Sequence, residues 1–128
     1  MGRDVTVAVF PGQGAQKTGM ARDFHETSAQ ARAVFEEVSD TLRLDMAALC
    51  FEDNDQLNLT AFTQPAILTV EIAIFRTLVA ESGLSVDVFA GHSLGEYAAL
   101  VAAGVIPLAE AAVLVRQRGE LMQEAVPV

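Results

Sequence analysis

The sequence Gly91-His92-Ser93-Leu94-Gly95 places a serine hydroxyl between two glycines, after an apolar stretch and before a run of small residues. Glycines two positions before and after a residue let a strand turn sharply into a helix, and the central side chain then stands free at the end of the strand. A serine held in this way can attack a carbonyl carbon and carry the acyl group. We therefore predict that Ser93 is a nucleophile; the alternative is a glycine turn with a structural role only.

Two backbone amides are candidates to stabilise the oxyanion that such an attack creates. The amide of Leu94 lies at the start of the following helix, where N–H groups lack a partner within the helix. The amide of Gln13 lies in a glycine turn after the first predicted strand, and loops at the carboxyl ends of neighbouring parallel strands meet in one crevice. This turn lacks the third glycine of a dinucleotide motif and the Lys-Ser/Thr of a phosphate loop, so both nucleotide interpretations are weak. A glycine turn without a ligand stays open as the alternative.

Arg118 is a candidate anion-binding residue beside the serine. After Ser93 the chain rises through about eleven residues, turns at residues 104–107 and descends about as far; at ~1.5 Å per helical residue, Arg118 returns to the level of the serine. Arg116 faces Glu120 four residues later, whereas Arg118 shares an apolar stripe. Its guanidinium either extends to solvent or holds an anion, and we expect the anion, since the guanidinium fork suits a planar carboxylate.

The serine also needs a base, and the chain has two histidines. His92 is adjacent to Ser93, but neighbouring side chains diverge at a sharp turn, so we expect His92 to pack and hydrogen-bond beneath the turn. His25, near the end of an early helix, is expected at the surface. We predict that neither histidine accepts the serine proton.

Composition argues against several functional classes. A net charge of −9 with eight scattered basic residues is unsuited to nucleic acid, whose phosphates need clustered cations. The single cysteine, Cys50, is expected to be a buried apolar residue, and it allows neither a disulfide framework nor a thiolate metal cluster; we predict no metal and no cofactor. No uncharged run approaches the ~20 apolar residues that span a bilayer, and the start lacks the pattern of a secretory signal. We expect a cytoplasmic protein without a membrane partner.

Strands that alternate with helices must position these residues. The predicted strands are Val5–Phe10, expected to be buried, and Val86–Ala90. The predicted helices are Thr18–Phe24, Ser28–Leu42 with Ser28 as N-cap, 45–51, a long apolar helix capped by Thr63 and ending near Gly83, one to Ala103, and Leu108–Ala125. This order predicts an α/β fold with a parallel sheet. Two strands are too few to cover the apolar faces of these helices. The apolar fraction of 52% and the mean hydropathy of +0.35 are also high for a domain that stands alone. The rest of the core is therefore expected outside this chain.

Four motifs occur in order along the chain: FPGQGAQ at 10–16, TQPA at 63–66, GHSLGE at 91–96 and RQRGELM at 116–122. Together they resemble malonyl-CoA:acyl carrier protein transacylases and the acyltransferase domains of fatty acid and polyketide synthases. The resemblance covers essentially the whole chain. It implies a hydrolase-like α/β subdomain joined to a small ferredoxin-like one. Residues 1–128 would be the N-terminal portion of the large subdomain, with the ferredoxin-like subdomain and the C-terminal part absent.

The resemblance also implies an enzymatic role for each site residue. The implied roles are the acylated nucleophile for Ser93, oxyanion-hole donors for the amides of Gln13 and Leu94, malonyl-carboxylate ligand for Arg118, and pocket lining for Gln64 and Met122. The implied reaction moves a malonyl group from CoA to the phosphopantetheine thiol of acyl carrier protein, in fatty acid or polyketide synthesis. The implied partners are the CoA thioester, the carrier protein and the remaining C-terminal half. The family's catalytic histidine lies well beyond the serine, so the resemblance implies that it is missing from this chain. This chain alone is therefore expected to be inactive.

Two other interpretations stay open. Serine esterases and lipases share the G-H-S-L-G pattern, but they usually continue with a small residue where Glu96 stands, and they leave the PGQGAQ turn without a role. A non-catalytic interpretation is a stable piece retained for partner binding or assembly.

Overall fold

The computed structural model describes residues 4–126, which form two strands and six helices. Their bounds are β1 Val7–Phe10, α1 Arg22–Thr27, α2 Ala29–Leu42, α3 Met46–Phe51, α4 Thr60–Ser82, β2 Val88–Gly91, α5 Gly95–Ala102 and α6 Leu108–Ala125. The strands pair in parallel, with Val7 opposite Val88 and Phe10 opposite Gly91. The predicted α/β fold with a parallel sheet is confirmed.

Helix α4 is the centre of the fold. Its buried residues run almost without interruption from Ala61 to Ala73, so every side of the helix is covered, and α2 and α6 pack along it. By length and composition α4 could cross a membrane, but 67% of its most apolar stretch is buried inside the fold, which makes it a core helix of this fold. Cys50 is buried as predicted, and burial raises the pKa of its thiol to about 12.

Three helices begin or end where their local signals predict. The Ser28 hydroxyl accepts a hydrogen bond from the amide of Ala31 at 3.2 Å and caps α2. Helix α6 spans the predicted Leu108–Ala125 and follows Pro107. Helix α4 ends at Ser82 and is followed by Gly83 in the left-handed conformation.

Two helix starts differ from the prediction. Helix α1 begins at Arg22 rather than at Thr18, because Gly19 has a φ of 90° and its amide donates to the Cys50 carbonyl at 2.7 Å, which ties this segment to α3. Helix α4 begins at Thr60, three residues before the predicted cap. Thr63 lies inside the first turn, where its hydroxyl donates to the Leu59 carbonyl at 3.0 Å.

Strand β1 is shorter and far more exposed than predicted. It starts at Val7 rather than Val5, and Val5 and Val9 are 64% and 70% exposed. The prediction of a buried strand is wrong for this chain, because within residues 4–126 β1 pairs only with β2 and its other edge has no neighbour. A cavity of about 400 Å³ lies between β1 and α4. We refer to the cavity and the exposed valines of β1 as the open face.

Candidate active site

Ser93 occupies a sharp turn between β2 and α5, as the sequence predicts. Its φ of 57° lies in the left-handed region, which is uncommon for a residue other than glycine. A Cβ on Gly91 would lie 2.0 Å from the Gly95 carbonyl oxygen, and a Cβ on Gly95 would lie 2.0 Å from the Phe10 carbonyl oxygen. Both flanking positions therefore require glycine, and the serine side chain stands exposed at the end of β2.

The turn passes directly into helix α5. The amide of Gly95 donates to the His92 carbonyl, and the amide of Glu96 donates to the Ser93 carbonyl, each at 3.0 Å. On the strand side, the His92 amide donates to the Phe10 carbonyl at 3.2 Å and extends the parallel pairing by one bond. The Leu94 side chain is fully buried beneath the turn. The hydroxyl is thus held by a hydrogen-bonded backbone and not by a mobile loop.

The loop after β1 lies against this turn. A Cβ built on Gly12 would be 2.8 Å from the His92 carbonyl oxygen and 3.7 Å from the Leu94 amide nitrogen. Neither the Leu94 amide nor the Gln13 amide donates a hydrogen bond to any group within residues 4–126. An oxyanion hole needs two such uncommitted amides beside the nucleophile. Their role as its donors stays a prediction.

A chain of side-chain hydrogen bonds joins Arg118 to the serine and to the β1 loop. Arg118 Nη2 donates to Ser93 Oγ at 2.9 Å, and Nη1 donates to Gln64 Oε1 at 2.6 Å. Gln64 Nε2 donates to Gln13 Oε1 at 2.9 Å. The Arg118 guanidinium also lies 5.9 Å from the centre of the Tyr97 ring, within reach of a cation–π contact. The prediction that Arg118 returns to the level of Ser93 is confirmed.

This arrangement fixes a positive charge next to the serine hydroxyl. Gln64 is completely buried, so its amide cannot turn to solvent and holds one nitrogen of the guanidinium fork in place. The other nitrogen faces Ser93 and could bind a carboxylate carried by an acyl group on the serine. Arg116 is different, because it pairs with Glu120 at 3.0 Å, as the spacing predicts, and lies over the Phe62 ring.

Met122 lies on α6 one turn beyond Arg118 and is 41% exposed. A side chain four residues from Arg118 on a helix shares its face. The lining role implied for Met122 stays a prediction.

The surroundings predicted for both histidines are wrong. The His92 side chain is exposed and makes no hydrogen bond to another of residues 4–126, because Leu94 fills the space beneath the turn. His25 is half-buried on α1, with its ring 5.2 Å from the rings of Phe35 and Phe51. Neither imidazole is hydrogen-bonded to the serine hydroxyl in the part of the chain that the structure describes.

Four residues near the site escaped the sequence analysis. They are Thr60, Tyr97, Gly119 and Gln123. Thr60 Oγ1 accepts a hydrogen bond from Gln13 Nε2 at 3.5 Å. Of these four, Gly119 could have been recognised from the sequence. A glycine inside a helix costs ~1 kcal/mol relative to alanine, so its presence indicates that another helix packs closely at that position. The sequence carries no signal for Thr60, Tyr97 or Gln123, since their partners lie in distant segments.

Among the described residues, no cluster of His, Cys, Asp and Glu side chains could hold a metal ion.

The family model of the acyl transferase domain matches residues 7–128. The chain therefore belongs to the acyl transferase domain family. It is 48% identical over 120 residues to the malonyl CoA-acyl carrier protein transacylase of Bacillus subtilis (strain 168), a match that covers 93% of this chain and 38% of the relative.

Solved structures show the same backbone. The malonyl CoA-acyl carrier protein transacylase from Coxiella burnetii superposes with a TM-score of 0.92 at 46% identity, over 97% of this chain and 40% of that one. A malonyl-transacylase solved in complex with its type II polyketide synthase acyl-carrier protein superposes with a TM-score of 0.91 at 46% identity. The match covers 97% of this chain and 40% of that one. The chain thus spans 38 to 40% of the length of these relatives.

Proposed function

We propose that this chain supplies the nucleophile and the carboxylate-binding residue of a malonyl-CoA:acyl carrier protein acyltransferase. The observation that carries the proposal is the contact of Arg118 Nη2 with Ser93 Oγ at 2.9 Å, with the same guanidinium held by buried Gln64. The family match and the names of the relatives support the same reaction.

The proposed reaction proceeds through an acyl-serine. Ser93 Oγ attacks the thioester carbonyl carbon of malonyl-CoA and gives its proton to a base. The carbonyl oxygen becomes an oxyanion, which the amides of Gln13 and Leu94 stabilise; each such donor is worth about 3–4 kcal/mol. The C–S bond then breaks, CoA leaves as its thiol with the proton from the base, and the malonyl ester of Ser93 remains. The phosphopantetheine thiol of the carrier protein attacks that ester in the reverse sequence.

Arg118 gives this reaction its acyl selectivity. A malonyl group differs from an acetyl group by a terminal carboxylate, and a planar carboxylate accepts two parallel hydrogen bonds from a guanidinium fork. Gln64 occupies one N–H group of Nη1 in this structure. The other N–H group of Nη1 and an N–H group of Nη2, the nitrogen that faces Ser93 Oγ, can therefore turn to that carboxylate together.

We further propose that the chain acts as the N-terminal part of a hydrolase-like subdomain and is inactive by itself. It contributes no imidazole to Ser93 within residues 4–126, and loss of the base of a linked catalytic set costs on the order of 10⁶ in kcat. The remaining C-terminal half would supply the histidine, and the carrier protein and CoA thioester would be the partners. The expected location is the cytoplasm, and no cofactor beyond these substrates is required.

A chimera tests this proposal. Residues 1–128 replace the matching segment of the Bacillus subtilis transacylase, and we refer to this protein as the chimera. We expect radiolabelled malonyl-CoA to label the chimera on Ser93 and the label to pass to phosphopantetheinylated carrier protein. The Ser93→Ala chimera should do neither, and the 128-residue chain alone should not turn over.

Three outcomes would contradict the proposal. They are labelling that survives in the Ser93→Ala chimera, transfer to carrier protein by the 128-residue chain alone, and hydrolysis of a nitrophenyl ester by the chimera without transfer to carrier protein. The last of these would favour a serine esterase.

A further inference from the structure

The first turn of α4 is capped by a side chain from a different helix. The N-cap residue of α4, Leu59, has no side chain that could accept a hydrogen bond. The amide of Ala61 instead donates to Gln123 Oε1 at 3.0 Å, across 62 residues of sequence. A free N–H group at a helix start needs such an acceptor, and here α6 provides it.

The same two helix segments touch almost backbone to backbone. Gly119 lies one turn before Gln123 on α6, and a Cβ added to it would be 2.6 Å from the Thr60 carbonyl oxygen and 2.9 Å from Ala61 Cα. It would also be 3.0 Å from the Gln64 side chain. At the level of Gln64, α4 and α6 are therefore packed too closely to admit even one additional methyl group on Gly119.

The hydrogen bond between Arg118 and Gln64 crosses this contact as well. Arg118 directly precedes Gly119, and Gln64 lies one turn beyond Thr60. The Gln123–Ala61 bond and the Arg118–Gln64 bond thus join the same pair of helix segments, one turn apart. A change in the spacing or rotation at one bond shifts the atoms of the other.

We propose that Gln123 is a positioning residue for acyl selectivity: its bond to the Ala61 amide sets the α4–α6 geometry that holds Gln64 against Arg118. This inference rests on the proposed function, in which Arg118 binds the malonyl carboxylate. Gln123 touches no reacting atom and acts only through Gln64 and Arg118. A cap with a stability role alone would leave the ratio of malonyl to acetyl transfer unchanged, and this separates the two roles.

The test compares three variants of the chimera with malonyl-CoA and acetyl-CoA. Gln123→Ala should lower kcat/KM for malonyl-CoA ~10-fold more than for acetyl-CoA, since small misplacements of a binding group weaken the interaction it makes. Gln123→Glu should restore most of the ratio, because a carboxylate oxygen accepts the same N–H and is favourable at a helix N-terminus. Gln117→Ala, at an exposed position on the same helix, should leave the ratio unchanged. Equal losses for the two substrates, or no loss, would overturn the proposal.

A second measurement on the 128-residue chain needs no activity. In NMR spectra, Gln123→Ala should shift the side-chain N–H signals of Gln64 and Arg118, and Gln117→Ala should not. Unshifted Gln64 and Arg118 signals in a folded Gln123→Ala chain would refute the positioning role. An inactive chimera whose Gln64 and Arg118 signals shift in this way would refute the proposed function, and the selectivity role with it, while still showing that Gln123 positions Gln64 and Arg118.

Discussion

Ser93 adopts its left-handed backbone although a serine has a Cβ that opposes this conformation. Such a conformation costs ~1–3 kcal/mol and persists only where the surroundings determine it. Here buried Leu94 and the two glycines that contact neighbouring carbonyls provide that constraint. The hydroxyl is thereby directed toward Arg118 and away from the core.

Arg118→Lys should impair malonyl transfer selectively. A lysine has one ammonium in place of a fork, so it cannot bond Gln64 and a carboxylate in the same geometry. We expect kcat/KM of the chimera for malonyl-CoA to fall roughly 30- to 150-fold, which corresponds to about 2–3 kcal/mol for a charge-assisted interaction. Transfer from acetyl-CoA should change much less. Arg116→Lys, whose arginine pairs with Glu120, is the control, and equal effects on both substrates would exclude a carboxylate role for Arg118.

Glu71 should make the stability of the chain depend on pH. Both of its carboxylate oxygens are buried without a hydrogen-bond partner among the described residues, and burial raises its pKa from 4.5 to about 8. The folded state therefore keeps a proton that the unfolded state has already lost. The stabilisation is fully present below about pH 4.5, decreases as the pH rises and is lost above about pH 8.

Urea unfolding of the 128-residue chain at a series of pH values measures this effect. Glu71→Gln should remain more stable than the original chain at pH 8, and the difference should shrink toward pH 5. Glu81→Gln, an exposed position on the same helix, should show no such trend. A difference that does not vary with pH would contradict the raised pKa.

At the scale of the elements, prediction from the sequence succeeded where the signals are local. Ser28 caps α2 through its own hydroxyl, and helix arithmetic alone placed Arg118 beside the serine. It failed where the signal lies in another segment. The first turn of α4 is capped by Gln123 of α6, and the surroundings of His25 include rings from α2 and α3. No window of sequence around these positions carries that information.

Gly119→Ala tests how closely α4 and α6 approach. Alanine is the better helix former by ~1 kcal/mol, so propensity alone predicts a more stable protein. The added Cβ would lie 2.6 Å from the Thr60 carbonyl oxygen, which is backbone and cannot move aside. We therefore expect overpacking to lower the free energy of unfolding of the 128-residue chain by about 1–3 kcal/mol. Gln117→Ala on the same helix should be neutral or slightly stabilising. A Gly119→Ala chain as stable as the original would show that the helices can separate at little cost.

For the molecule as a whole, the open face accounts for the high apolar content. The sequence predicts that two strands cannot cover the apolar helices, and in the structure β1 is left uncovered, with Val7 and Val9 exposed. The relatives keep the same backbone within chains about two and a half times as long. Which strand would be left uncovered could not be predicted from the sequence, because the burial of β1 depends on which elements pack on it, and the residues of β1 itself do not record that.

The open face can be tested by its response to one added hydroxyl. Val9→Thr keeps the size and strand preference of valine, so at 70% exposure it should leave the stability of the 128-residue chain almost unchanged. In the chimera, the additional polypeptide should cover β1, and the same hydroxyl should cost about 1–3 kcal/mol of unfolding free energy because it is buried without a partner. Val105→Thr, 64% exposed in the turn between α5 and α6, should cost little in either protein. If Val9→Thr were equally mild in the chimera, β1 would not be the strand that the rest of an acyltransferase covers.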